Sequence, residues 1–360
     1  VLKTDSIGDF VLATAFLREL RLMFPQAEIT LLVNPAVYNL AEFCPYVDKV
    51  QIYFKNLPNY LSPFIMPWHS FKLGYFMMRH QKFDIAILPR LDMDTNYSTY
   101  VAYFSFSKRR IGYTEHANFR KQFVNKGFDS MLTDIIPDEK PRHEVERNLD
   151  IIRYLGGKPS VDFPELWIGA EDDKFADCVL AGFFSQALIG LCPGAGEKKK
   201  QWPRGRFVEL AQCLKNDYNP LLLILGGAED RAVGRDIQDS LNTGVIDMTG
   251  KTTLRQTAAL LKRCALYVGN DTGAKHMAAA MGVPVVEISC FPIDGPSWHW
   301  NSPCRFGPWQ APHRILQPKK IPLECGDTFN KNHLNYIDEV SVEEVCQAVD
   351  ELLRRTRNRG

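Results

Sequence analysis

Ala265-Leu266-Tyr267-Val268-Gly269-Asn270-Asp271-Thr272-Gly273-Ala274-Lys275-His276-Met277-Ala278-Ala279-Ala280-Met281 changes character twice within seventeen residues. A short apolar run over 265–269 reads as a buried strand, a polar turn follows, and small residues with helical spacing over 273–281 read as a helix. A second apolar run, 283–289, then reads as a strand, completing the strand–helix–strand unit of a parallel sheet. In open sheets of this kind ligands bind at the carboxyl ends of the strands, where helix N-termini point N–H groups and a positive dipole end at anions.

Upstream, strands are expected at 188–192, 221–225 and 245–248, with helices at 207–214, 231–241 and 254–264. That alternation predicts a doubly wound sheet. The amino-terminal half repeats it less cleanly. Apolar runs at 1–3, 29–33, 47–53 and 84–88 read as strands. Phe10, Ala13, Leu17, Leu20 and Phe24 recur at helical spacing until Pro25 stops them. A helical run over 143–155 ends at Gly156-Gly157-Lys158-Pro159-Ser160, which has the turn chemistry of a linker. The expected organisation is a first domain over 1–155, a linker over 156–170, a second domain over 171–340 and a closing helical segment over 341–360. Residues 291–332, rich in Pro, Trp and His, read as a long ordered loop over a site.

The 360 residues suit two domains. Apolar residues at 45% and charged residues at 24% exclude a disordered chain. A formal charge of +1 gives no global pull toward nucleic acid, so an anionic partner must meet a local patch. Nine cysteines, scattered and without a C-x-x-C pair, argue for small buried hydrophobes in a reducing compartment. No run approaches the roughly 20 apolar residues of a membrane span. Val1 opens directly on a strand pattern, and the first residues do not read as a charged-then-apolar signal. The expectation is a cytoplasmic protein, at most peripheral at the inner face of the cytoplasmic membrane.

Three loops stand where a ligand would bind: Thr4-Asp5-Ser6-Ile7-Gly8-Asp9, then 193–203 (PGAGEKKKQWP), then Gly269 to His276. In the second, Gly194 and Gly196 leave backbone open to a phosphate, and Lys198, Lys199 and Lys200 could neutralise it; the plainer account is a solvated charge run. In the third, Asp271 and Thr272 occupy capping positions, and capping uses the N–H groups that bind anions. His276, one turn in, either faces a ligand or packs beneath the cap. A fourth strand end, Leu225-Gly226-Gly227-Ala228-Glu229-Asp230, sets a carboxylate where ribose hydroxyls could be held, or merely an acid at a helix start. Neither G-x-G-x-x-G after the first strand nor a P-loop is present, which weakens NAD and P-loop readings.

Four blocks, KTDSIGDFVLAT (3–14), GAGEKKKQWP (194–203), LGGAED (225–230) and GNDTGAKHMAAA (269–280), in this order and spacing resemble glycosyltransferase family 9, the heptosyltransferases. The resemblance implies an α/β protein of GT-B fold, two Rossmann-like doubly wound domains facing across a cleft. It implies an inverting transferase that moves a heptose or related sugar from an ADP-sugar, ADP-heptose by the family's habit, to a lipopolysaccharide core or similar glycan acceptor, with no metal or other cofactor. Asp9 matches the family's general base and, with Gly8, its acceptor side. Lys200 matches the lysine on donor phosphate, and Glu229 the acid near the ribose. Asp271, Thr272, Gly273 and His276 match the segment along diphosphate and sugar. Gly194, Ala195, Gly196 and Thr252 complete the implied donor set. Phe10-Val11-Leu12-Ala13 stands where inner-core enzymes often carry a histidine, which leaves the acceptor open.

Two other readings share the fold: a nucleotide-sugar epimerase or hydrolase needing no acceptor, and a silent nucleotide-sugar sensor. Asp92-Met93-Asp94 spells D-x-D, but in the amino-terminal half, away from the diphosphate loops. The aromatic and basic stretch 53–82, including Trp68, Lys72 and Arg79, is expected to meet acceptor lipid or membrane, or to fold as a lid on its own domain.

Overall fold

The computed structural model describes residues 1–54, 68–76, 82–138, 140–183, 186–241, 243–319 and 336–357. The chain divides into two compact units, Val1–Asp162 and Phe163–Gly360.

In the first unit β1 (Leu2–Lys3), β2 (Thr30–Val33) and β3 (Lys49–Ile52) form one parallel ladder, and β4 (Ile85–Leu88), β5 (Arg109–Tyr113) and β6 (Asp134–Ile136) another. The two ladders adjoin at β1 and β4. There Lys3 Nζ donates to the Pro89 carbonyl at 2.8 Å, and the Thr4 and Ser98 hydroxyls share a 2.7 Å bond. Leu2, Leu32, Tyr53, Ala86, Leu88, Val101 and Ala102 form one apolar cluster spanning both ladders.

The single helix expected over 10–24 is two helices, Ile7–Leu12 and Thr14–Met23. The Thr14 hydroxyl donates to the Val11 carbonyl at 2.8 Å, a side-chain bond that competes with the helical ladder and marks the break. The first helix starts earlier than its apolar spacing suggested, because Ser6 and Asp9 form a capping box.

Gly156, at φ +92°, supplies the left-handed residue that closes the helix Glu144–Tyr154. The segment after it is fastened to its own unit. Glu19, buried, accepts from the Ser160 and Val161 N–H groups at 3.0 and 3.1 Å and from the Ser160 hydroxyl at 3.0 Å. Residues 156–161 therefore pack with the first unit, and the division falls at Asp162.

The second unit is a six-stranded parallel sheet of β7 (Leu188–Cys192), β8 (Leu221–Ile224), β9 (Val245–Asp247), β10 (Leu266–Asn270), β11 (Val285–Ile288) and β12 (His313–Leu316). Their order is β12-β11-β10-β7-β8-β9, so the winding reverses between β7 and β10. That reversal is where doubly wound sheets open a crevice for ligand. β12 lies inside the stretch expected as a long loop and pairs His313 to Leu316 with Val285 to Ile288. The helix Val342–Arg357 is no separate appendage. Ile337, Val340, Val345, Val349 and Leu352 join Leu210, Leu214, Leu266, Val286 and Ile288 in one core.

Of the aromatic stretch 53–82, residues 55–67 and 77–81, Arg79 among them, lie outside the described residues. Helix 68–76 rests Phe71 on Phe104, ring centroids 5.3 Å apart, while Trp68 stays 59% exposed.

Candidate active site

At the winding reversal the backbones of β7 and β10 approach so closely that a side chain on Gly269 would put its Cβ 2.6 Å from the Cys192 carbonyl oxygen. Glycine alone allows that approach. The next residue, Asn270, is wholly buried and staples the two strand ends. Its amide nitrogen donates to the Pro193 carbonyl at 2.7 Å, and its oxygen accepts from the Trp202 N–H at 3.2 Å. Trp202 is in turn anchored by its indole N–H on the Val340 carbonyl, 2.8 Å, and by edge contact with Phe207.

Between those staples runs the lysine-rich loop, whose three lysines part company. Lys198 is exposed, Lys199 pairs with Glu197 at 3.0 Å, and Lys200 turns inward to Asp271 Oδ2 at 2.8 Å. Asp271 uses its other oxygen as well, on Lys275 Nζ at 2.5 Å, and Lys275 reaches Glu287 Oε1 at 2.7 Å. Lys275 and Glu287 are almost completely buried. Burial disfavours every charge here. For Asp271 the two ammonium groups, Lys275 and then Lys200, outweigh it and hold the carboxyl far below the usual range. Burial likewise opposes the Lys200 and Lys275 ammoniums, but Asp271 raises the pKa of both, with Glu287 adding at Lys275. For Glu287 burial wins over Lys275, and its carboxyl is pushed up to about 7.

Thr272 is the N-cap of the helix Gly273–Ala280, and its side chain makes no cap hydrogen bond. Asp271, at the other capping position expected from sequence, serves two lysines instead, because charge-assisted bonds to buried ammoniums are stronger than a bond to backbone N–H. The helix start at Gly273 therefore lies beside Lys200 without a side chain closing it. His276 is buried, 5% exposed.

Gly194 and Gly226 pack against the Asp230 carboxylate, which a Cβ on either would strike. Asp230 accepts from the Gly227 N–H at 2.8 Å, and its pKa is raised by burial. Glu229, next to it, is exposed. Ala195 offers its carbonyl to Gln201 at 2.9 Å, and nothing lies within 4 Å of a Cβ on Gly196. The loop after β9 joins this group through the Gly250 N–H on the Gly226 carbonyl, 2.9 Å, and carries Thr252, whose hydroxyl bonds that of Thr257 at 2.8 Å.

In the first unit Gly8 is buried within the helix Ile7–Leu12 and Asp9 is partly exposed on it. Asp9 Oδ2 accepts from the Ser6 hydroxyl at 2.5 Å and the Ser6 N–H at 3.3 Å. Lys3, below, is lowered by burial to about 8 although Asp9 pulls it up. Asp94 of the D-x-D sequence caps the helix Ser98–Phe104, accepting from the Ser98 and Thr99 N–H groups at 2.9 and 2.7 Å, and Asp92 accepts from Asn118 at 3.3 Å.

The second unit thus brings Gly194, Ala195, Lys200, Asp271, Thr272 and Gly273 to one reversal point, with Glu229 and Thr252 on the adjoining loops. Lys275, Glu287, Asn270 and Asp230 were not singled out by sequence. The signal for one of them was available: Glu287 interrupts the apolar strand Val285–Ile288, and a charge there needs a buried partner.

Residues 77–311 match the model of glycosyltransferase family 9 (heptosyltransferase). Lipopolysaccharide heptosyltransferase 2 of Salmonella typhimurium is 26% identical over 363 residues, covering 96% of each chain. Among solved structures, a family 9 glycosyl transferase from Veillonella parvula superposes with a TM-score of 0.81 at 22% identity, covering 98% of this chain and 96% of that one. The ADP-heptose lps heptosyltransferase II of E. coli does so at 0.72 and 20%, covering 99% and 98%. These likenesses show the GT-B fold. The chain belongs to glycosyltransferase family 9 and is a glycosyltransferase.

Proposed function

Within glycosyltransferase family 9, we propose that this enzyme moves a heptose from ADP-heptose to a lipopolysaccharide-core acceptor with inversion at the anomeric carbon. The observation that carries the reading is the Lys200–Asp271 ion pair set beside an uncapped helix start at the winding reversal. Lys200 and the N–H groups at Thr272 and Gly273 take the donor's diphosphate, the lysine as a charge and the helix as a dipole. The same groups stabilise ADP as it departs. Gly194, Ala195 and Gly196 let phosphate approach backbone, Glu229 and Thr252 border the ribose, and His276 with Asp271 supports the sugar end.

Asp9 is the general base. It removes the proton from the acceptor hydroxyl while that oxygen attacks the anomeric carbon, with Gly8 beside it on the acceptor side. Asp9 sits in the first turn of its helix, where the Ser6 hydroxyl donates to its Oδ2 and fixes the carboxylate's position. Lewis-acid help on the diphosphate is unnecessary where a lysine and a helix end supply the charge. The acceptor places the enzyme at the inner face of the cytoplasmic membrane; no helix among the described residues is long and apolar enough to cross one.

Family membership favours transfer over the epimerase and sensor readings. The deciding experiment incubates purified enzyme with ADP-heptose and heptose-free lipopolysaccharide core, then determines product mass and anomeric configuration. Transfer with the configuration inverted supports the reading. Free heptose formed equally without acceptor, or a retained configuration, overturns it.

A further inference from the structure

Lys200, Asp271, Lys275 and Glu287 form a chain of alternating charge, with successive contacts of 2.8, 2.5 and 2.7 Å. It begins at the ligand-facing lysine and ends on β11, inside the sheet. With both carboxylates ionised the four charges sum to zero. Both oxygens of Asp271 are engaged, whereas Glu287 Oε2 has no hydrogen-bond partner among the described residues. The titratable groups facing Glu287 are Lys275 from the helix Gly273–Ala280, Asp271 and Lys200 from the two loops, and the Tyr267 phenol from β10.

We propose that Lys275 and Glu287 are positioning residues for the diphosphate subsite, and that donor binding at Lys200 draws a proton from solvent onto Glu287. The inference rests on the reading that Lys200 receives the diphosphate. A bound diphosphate shares the Lys200 ammonium with Asp271 and adds negative charge to a buried chain that water cannot screen. The end of the chain with a spare carboxylate oxygen is the place to neutralise it. Protonated Glu287 releases its hold on the Lys275 charge, and Lys275 then secures Asp271 by itself. Asp271 stays ionised and fixed while Lys200 turns to phosphate. Because burial already sets Glu287 near 7, the uptake falls in the neutral range.

The test is calorimetric titration with ADP-heptose, without acceptor, in buffers of differing ionisation enthalpy. The diphosphate diester of this donor has no group that titrates near neutrality, so any proton exchanged belongs to the protein. The expected result is uptake of roughly half a proton at pH 7, falling toward zero at pH 5.5 and rising at pH 8, with Glu287→Gln binding the donor without uptake. An enthalpy independent of buffer, or the same uptake in Glu287→Gln, overturns the proposal. Infrared difference spectra of the unmutated enzyme, bound minus free, give a reading that needs no variant: a new protonated-carboxyl band supports it, and its absence overturns it. Lys200→Ala separates the two layers. Unchanged donor affinity in that variant rejects the diphosphate site itself, whereas weakened affinity with no proton uptake in the unmutated enzyme rejects only the linkage.

Discussion

The Trp202 backbone N–H bonds the Asn270 side-chain oxygen across 3.2 Å, joining two loops that lie 68 residues apart in sequence. The same side chain holds the Pro193 carbonyl at 2.7 Å, so one buried amide sets the register between the loop that carries Lys200 and the strand end that carries Asp271. The ion pair at the proposed diphosphate subsite is positioned by a neutral residue beneath it.

Asn270→Ala leaves the Trp202 N–H and the Pro193 carbonyl buried without these bonds. We expect a loss of roughly 2 to 4 kcal/mol in urea denaturation, on the scale of unsatisfied buried polar groups, with weaker donor binding. A loss below about 0.5 kcal/mol, the range of an inconsequential surface change, shows that the loops are registered by other contacts.

Lys200→Ala should weaken ADP-heptose binding by about ten- to a hundredfold, the scale of a charge-assisted hydrogen bond at roughly 1.5 to 3 kcal/mol. Asp271 keeps Lys275 as its partner in this variant, so the fold should hold. Lys198→Ala, on an exposed side chain of the same turn, is the control and should bind as the unmutated enzyme does. Equal affinities for all three proteins return the lysine run to the role of a solvated surface.

Asp9→Asn tests the base. Asparagine can still accept from Ser6, so the melting temperature and donor affinity should stay close to those of the unmutated protein. Transfer should fall by about 10²-fold or more, the scale of a general-base contribution. Near-normal transfer by a folded Asp9→Asn protein removes Asp9 from the mechanism and leaves it as a cap.

Turnover is expected to survive EDTA, because Lys200 and the helix start at Gly273 supply the positive charge that a metal would otherwise bring to the leaving diphosphate. Activity lost on chelation and restored by magnesium or manganese contradicts this.

Lys121 is buried with its ammonium on the Tyr113 carbonyl at 2.7 Å, and burial lowers its pKa to about 8. In the unfolded chain the group titrates near 10.4. Between those values the unfolded chain binds more protons, so the stability contributed at this position rises with pH across that window and is flat below it. Relative to Lys121→Met, the unmutated protein should gain on the order of 2 kcal/mol between pH 7.5 and 10. Parallel denaturation curves for the two proteins at both pH values show instead that the ammonium is not buried at a cost.

Legibility in the sequence followed the physics of each element. The strands β7, β8, β10 and β11 are apolar runs bounded by turns, and their residues announced them. β5 opens on Arg109-Arg110, β6 has three residues, and β12 is His313-Arg314-Ile315-Leu316 amid prolines and tryptophans. Their pairing comes from neighbours in space, which periodicity does not record. Lys200, Asp271 and Gly273 stood out because they sit at strand ends. Lys275 did not, because it makes sense only through the Glu287 it meets across a helix and a strand, and Glu287 was marked only as a charge interrupting an apolar run. The lysine run divided for a similar reason: nothing in Lys198-Lys199-Lys200 says which of the three will find a buried carboxylate.

The Val340 carbonyl accepts both the Trp202 indole N–H and the Arg206 guanidinium, at 2.8 and 2.7 Å. The core that seats Trp202 therefore contains residues made nearly 140 positions later. During synthesis the first unit can close once residue 162 has left the ribosome, since its tail already fastens to Glu19. The second must keep Leu210, Leu214 and Val286 uncovered until the helix Val342–Arg357 emerges. A ribosome stalled short of residue 340 holds a finished half and a half with an open apolar face, so premature stop codons there should yield aggregates and proteolytic fragments ending near the unit boundary, not a weakened enzyme.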